Sequence, residues 1–202
     1  MTTSDESTDF GKIVNFLFEV EMLSSVPRSG YHVLGGVKQS VAEHSFNIAM
    51  IAYAISQINS NIDVFKLLKM CLLHDLPEAR TGDQHYINKK YVQADENQVI
   101  VDQSTNLPNG EDYIQLMHEF NEDKTLEAHF AHDADQLELL LVLKRATDIG
   151  HHDAKKWAYY AKKRIKTEIG KKLAETIEKT RSDAWWFTDD EDWWVNANNN
   201  KK

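Results

Sequence analysis

Apolar positions recur every three or four residues along nearly the whole chain, and no convincing run alternates every second residue. This pattern predicts helices and no strands. Ile13 to Leu23 reads as the first helix, followed by a loop punctuated by Pro27, Gly30, Gly35 and Gly36. A second helix, to about Ile58, carries the stripe Val41, His44, Ile48, Ile51 and Ile55. Ile62 to His74 reads as a third, with Asp63 as cap or first-turn residue and Pro77 close behind its end. Thr81-Gly82-Asp83 is a turn, Lys89 to Asp102 is expected as a helix, and Leu107-Pro108-Asn109-Gly110 as a break. Asp112 to Asn121 and Thr125 to Ile149 continue the pattern, and a long basic helix capped by Asp153 runs to about Lys179. The expectation is an all-α, single-domain helical bundle over residues 12–181. A frayed polar N-terminus, 1–11, precedes it, and a Trp-rich acidic tail, 182–202, follows.

Three of these stripes point polar groups inward. His74-Asp75 closes the apolar run Leu67-Leu68-Lys69-Met70-Cys71-Leu72-Leu73, His44 lies among aliphatics, and Asp135 occupies the stripe Ala128, Ala131, Asp135, Leu139, Val142, Ala146. A buried carboxylate is unfavourable unless neutralised. Adjacent residues on a helix point about 100° apart, so His74 and Asp75 can share one ion only near a helix end. A single divalent metal held by His44, His74, Asp75 and Asp135 satisfies all four. Two nitrogen and two oxygen donors suit manganese, cobalt, iron, nickel or magnesium.

Length and composition fit one domain with a real core: 202 residues, 42% hydrophobic and 27% charged. No apolar stretch reaches the roughly 18 residues of a membrane span, so no membrane association is expected. The single cysteine, Cys71, excludes an internal disulfide and fits a reducing cytoplasm. The net charge of −9 conceals a basic segment, Lys144 to Arg181, at +7. We read it as a solvated face offsetting an acidic body, with no nucleic-acid partner expected. The tail packs Trp185, Trp186, Trp193 and Trp194 around Asp189-Asp190-Glu191-Asp192, and is expected to dock on the protein's own surface or on a second subunit.

The ligand order His44, His74-Asp75, Asp135 resembles the HD-domain metal-dependent phosphohydrolases. Within them, Val41-Ala42-Glu43-His44-Ser45, His74-Asp75-Leu76-Pro77-Glu78 with Thr81-Gly82-Asp83, and Asp133 to Glu138 are similar to the 5′-deoxynucleotidase branch. So is Pro27-Arg28-Ser29-Gly30. The resemblance implies a homodimeric enzyme that removes phosphate from deoxynucleoside 5′-monophosphates. It implies metal ligation by the same four residues, proton handling by Glu78, a sugar or leaving-oxygen contact from Asp83, and phosphate binding by Arg28. Departures are Tyr31, where tryptophan is common, and Gln84-His85, where an apolar residue and proline are usual. Arg80 is unexpected there and is a further candidate phosphate contact. Hydrolysis of a nucleoside triphosphate or a guanosine alarmone is the rival enzymatic reading. A metal-stabilised scaffold binding a partner through its tryptophan tail is the non-enzymatic one. His132-Asp133 and His151-His152-Asp153 repeat the His-Asp pattern, but neither is expected to hold the ion.

Overall fold

Side-chain caps set most of the helix starts in this computed structural model, which describes residues 9–186. The elements are α1 (Phe10–Met22), α2 (Tyr31–Leu34), α3 (Val41–Ser56), α4 (Val64–Leu73), α5 (Glu78–Thr81), α6 (Glu96–Ser104), α7 (Gly110–Glu122), α8 (Leu126–Asp148), α9 (Ala154–Arg164) and α10 (Glu168–Lys179). A 3-10 turn spans Asn88–Lys90. Asp9, Asp63, Asp95, Thr125 and Thr167 each accept a backbone N–H one to three residues into the helix that follows, and Ser40 and Glu43 cap α3 reciprocally. Each such cap contributes about 1 kcal/mol. No strand occurs among the described residues, as the periodicity predicts. One isolated antiparallel bridge, Pro27 with Ser40, pinches the loop between α1 and α3.

The 23-residue α8 is the axis of the bundle, packed against α3, α4, α7, α9 and α10. Ile48, Ile55, Leu67, Met70, Leu76, Leu137 and Leu140 fill the space between them with no more than 1% exposure. Because neighbours surround it, α8 buries residues around most of its circumference. Asp133 is fully buried, and Asp135 lies at the edge of the core with 26% of its side chain exposed. The core aspartate of this helix is therefore Asp133, and its compensation is local. Its carboxylate accepts from Lys166 N at 2.7 Å, from Thr167 N at 2.9 Å and from Thr167 Oγ1 at 2.6 Å.

That contact explains one departure from expectation. The basic segment is two helices, α9 and α10, broken at Ile165-Lys166-Thr167 where Asp133 seizes the backbone. Gly170 is required beside it. An added Cβ would collide with the Asp133 carboxylate and lie 2.7 Å from Ile165 Cγ2. The helix expected at Lys89 begins instead at Glu96, where Asp95 accepts from Gln98 N. Asp153 holds the N-cap position of α9 without a side-chain capping bond. At the N-terminus α1 starts at Phe10, so the expected boundary at residue 12 falls inside a capped helix. Of the tail, Trp185 and Trp186 pack edge to face and stay at least half exposed, while 187–202 lie outside the described residues.

Replacing Asp133 with Ala strands three donors around the start of α10, and should lower stability by roughly 2–4 kcal/mol. Urea denaturation checks this against Asp63→Ala, an exposed cap expected to cost about 1 kcal/mol.

Candidate metal and phosphate site

Three helices converge on one point. His44 sits in the first turns of α3 and is fully buried. His74 caps the C-terminus of α4, and the chain then leaves the helix through Asp75 into α5. That exit lets neighbouring residues face the same centre. Single donor atoms of His44, His74 and Asp75 lie within 4.8 Å of one another, and no other such His/Cys/Asp/Glu group exists among the described residues. Asp135, on α8, lies outside that group and approaches it through His44, with Oδ1 3.1 Å from His44 Nε2. Asp75 completes the arrangement, 3.5 Å from His44 Nε2 and 3.3 Å from His74 Nε2.

Both imidazoles are oriented from behind. His44 Nδ1 lies 2.9 Å from Glu138 Oε2, and His74 Nδ1 lies 3.0 Å from the Cys71 carbonyl. Each acceptor holds a proton on Nδ1 and leaves Nε2 aimed at the centre. Both Nε2 atoms are buried there without a well-directed hydrogen bond. Buried, unsatisfied nitrogens beside two carboxylates are the donor set a divalent ion takes up, so these residues fit the metal. Burial opposes charge on His44, but the Asp135 carboxylate 3.1 Å from Nε2 and the hydrogen bond to Glu138 outweigh that and lift its pKa to about 9. Burial likewise works against Asp135, yet His44 holds it down at about 2. Asp75 also lies well below the usual carboxylate range despite burial, held by His74, Arg28 and His44.

Four other expected residues fall into two groups. Arg28 Nη1 donates to Asp75 Oδ2 at 3.0 Å and lies 3.6 Å from Asp83 Oδ1. Asp83 in turn accepts from Ser29 N, fastening the Arg28 loop to the turn after α5. Glu78 is 7% exposed with Oε2 unpartnered, and burial followed by the Asp75 and Asp83 charges raises its pKa to about 9. That shift favours the protonated carboxyl. Arg80 points elsewhere: its Nη2 and Nε bind the two Glu19 carboxylate oxygens on α1, and Asp102 lies 3.5 Å away. It anchors α5 and is not turned toward the centre. Of the divergent segment, His85 lies beside Gly30 of the same loop, and its Nδ1 accepts from Ile87 N and Asn88 N.

Residues 20–179 match the model of the HD domain. The chain belongs to the HD-domain family. Its HD domain is 31% identical over 134 residues to the 5′-deoxynucleotidase HDDC2 of Dictyostelium discoideum, covering 59% of this chain and 69% of that one. Two solved structures share the fold. The PH0347 protein of Pyrococcus horikoshii superposes with a TM-score of 0.68 at 24% identity, over 82% of this chain and 98% of that one. The cyanophage S-2L HD phosphohydrolase DatZ, bound to dA and one catalytic Zn2+ ion, gives 0.51 at 20% identity, over 81% and 96%. The HD domain described here is thus a metal-dependent phosphohydrolase fold with a His/Asp cluster at its centre.

Reading the sequence missed Glu138 and Gln39, whose carboxylate and amide stand behind His44. Glu138 does lie three residues after Asp135, so one helical turn could have marked it. It also missed the buried hydroxyls of Ser29 and Tyr31, unpartnered in the Arg28 loop. His132 turns away from the centre, bonded to the Phe120 carbonyl.

The raised pKa values dictate a pH dependence. His44 ordinarily titrates at 6.5, so the stability it contributes as an imidazolium is present below that pH and lost as pH rises through about 9. Folded Glu78 keeps its proton above its ordinary 4.5, so its contribution also falls as pH rises toward about 9. The two add, since the folded state binds more protons across this window. In excess chelator the melting temperature should fall as pH is raised from about 6.5 toward 9, and divalent metal should offset the fall because it requires deprotonated ligands. Thermal melts with and without manganese read both effects. A chelated protein that gained stability over this range would contradict the assignment.

Proposed function

We propose that this HD domain is a phosphomonoesterase that releases phosphate from deoxynucleoside 5′-monophosphates, working as a cytoplasmic homodimer with one divalent ion. The observation that carries the reading is a buried carboxyl at Glu78, with Oε2 unpartnered, flanking the His/Asp cluster, with a guanidinium on the same rim. His44, His74, Asp75 and Asp135 would hold the ion. When bound, it supplies Lewis acidity that activates water near neutral pH. Arg28 binds the phosphate oxygens as a bidentate donor. Glu78 gives its proton to the leaving 5′-oxygen and takes one back from the incoming water, so net proton change at this carboxyl is zero over a turnover. Asp83 fixes the Arg28 loop through Ser29 N and faces the sugar side.

Two likenesses support the substrate class: the relatives named 5′-deoxynucleotidase, and the dA bound in the cyanophage phosphohydrolase. The homodimer is supported by α1, which buries none of its residues and leaves Phe10, Leu17 and Phe18 exposed on the surface. The lone cysteine fits a reducing compartment. No helix of the described residues is long and apolar enough to cross a membrane.

Phosphate release measured over matched 5′-dNMP and 5′-NMP pairs, a triphosphate and a cyclic nucleotide tests the reading. The deoxyribonucleotides should show the higher kcat/KM. Glu78→Gln should retain metal and lose roughly 10²–10⁴-fold in kcat, whereas His74→Ala should lose both metal and activity. Preference for ribonucleotides would refute the sugar selectivity, and turnover of the triphosphate alone would refute the substrate class. Light scattering that returned the mass of one 23.3 kDa chain would refute the dimer.

A further inference from the structure

Glu138 is the most completely buried acid near the centre that has no part in the reaction described. Its side chain is 2% exposed on α8, and both oxygens are used. Oε2 lies 2.9 Å from His44 Nδ1. Oε1 accepts from Gln39 Nε2 at 2.6 Å and from Asn47 Nδ2 at 3.2 Å. Gln39 ends the loop that carries Arg28, and its own carbonyl accepts from Arg28 N at 2.9 Å. One carboxylate therefore touches α3, α8 and the base of the Arg28 loop. Burying an ionised carboxylate costs several kcal/mol unless its lone pairs are filled. A core contact alone would be served by an apolar residue of similar volume.

We propose that Glu138 is a positioning residue: it holds a proton on His44 Nδ1, keeps Nε2 turned to the centre, and ties that orientation to the loop bearing Arg28. The inference rests on the proposed metal site for its functional meaning, but the orientation of His44 can be read without any metal. An apolar or shortened side chain at 138 would leave the His44 ring free to rotate or to change tautomer. An amide would not, because its oxygen can still accept from Nδ1, while Gln39 can rotate its amide to present the now unpartnered Oε1.

The experiment compares wild type, Glu138→Ala, Glu138→Asp and Glu138→Gln, with circular dichroism to establish the folded fraction. Manganese titrated calorimetrically into chelator-stripped protein should bind about 10–100-fold more weakly to the Ala and Asp variants. The Gln variant should stay within a few-fold of wild type. Should Glu138→Ala fail to fold, Glu138→Asp carries the comparison, since it keeps the charge and loses the reach. Proton–nitrogen correlation NMR of the metal-free protein gives the second readout. The Nδ1–H signal of His44 should be present in wild type and Glu138→Gln, and lost or shifted in the Ala and Asp variants. A purely structural role would lower stability and leave both readouts unchanged in the folded protein, which would overturn the proposal. If wild type bound no divalent ion, the metal reading would fall, and the His44 signal alone would decide the role of Glu138.

Discussion

Like charges brought together out of water are the constraint on which this bundle depends. Asp75 and Asp135 both approach the fully buried His44, at 3.5 and 3.1 Å. Carboxylates gathered at such a site repel one another more strongly than in water, because burial lowers the effective dielectric, and Asp83 and Glu78 stand close behind. The chain alone meets this with every cation at hand. The surroundings push His44 toward the imidazolium and Glu78 toward its protonated form, and Arg28 bonds Asp75. Two of these are shifts of ionisation, at His44 and Glu78, and the third is an ordinary cation placed against Asp75; all act in the direction that offsets negative charge. One divalent cation would relieve the same repulsion from a single point, which is why the arrangement is intelligible as a site and costly as mere packing.

Placing the acids falls largely to α8, and helical geometry explains how one element serves three purposes. Residues advance by about 100° each, so Asp133 and Asp135 face nearly opposite sides, while Glu138 returns to within about 60° of Asp135. Asp133 accordingly meets the start of α10, whereas Asp135 and Glu138 bracket the two nitrogens of the same imidazole. A helix with neighbours on all sides can bury acids at several azimuths, provided each finds donors. The donors come from the chain turn before α10, from His44, and from Gln39 with Asn47.

The same geometry marks where sequence periodicity stops being informative. His44 was legible because α3 has one buried face, and Val41, Ile48 and Ile55 sign it clearly. His74-Asp75 was legible because Pro77 follows two residues later. On α8 the stripe through Asp135 was one of several that the sequence allows, since Leu137, Leu140 and Leu143 are buried as fully as Ala128 and Ala131. Which aspartate lay deepest was decided by Lys166 and Thr167, more than thirty residues away. Arg80 illustrates the same limit. Its position two residues after Glu78 suggests the site, but a bidentate partner on α1, Glu19, had already claimed it. The break between α9 and α10 had a local signal in Thr167-Glu168, hidden among lysines that favour a continuous helix.

The Arg28 loop shows how a segment rich in turn residues can still present a fixed charge. Its composition, with Pro27, Gly30, Gly35 and Gly36, argues for freedom. Its ends do not have it. Arg28 N bonds the Gln39 carbonyl, Val41 N bonds the Val26 carbonyl, and Pro27 bridges Ser40. Ser29 N is held by Asp83, and the Gln39 side chain by Glu138. The positive φ values of the loop fall at Gly35 and Gly36, seven and eight residues after Arg28. An anion arriving at the rim would meet a guanidinium whose backbone is already ordered, and would bear little of the cost of ordering it. The loop is thus tied to the bundle at and around Arg28, the residue proposed to bind phosphate.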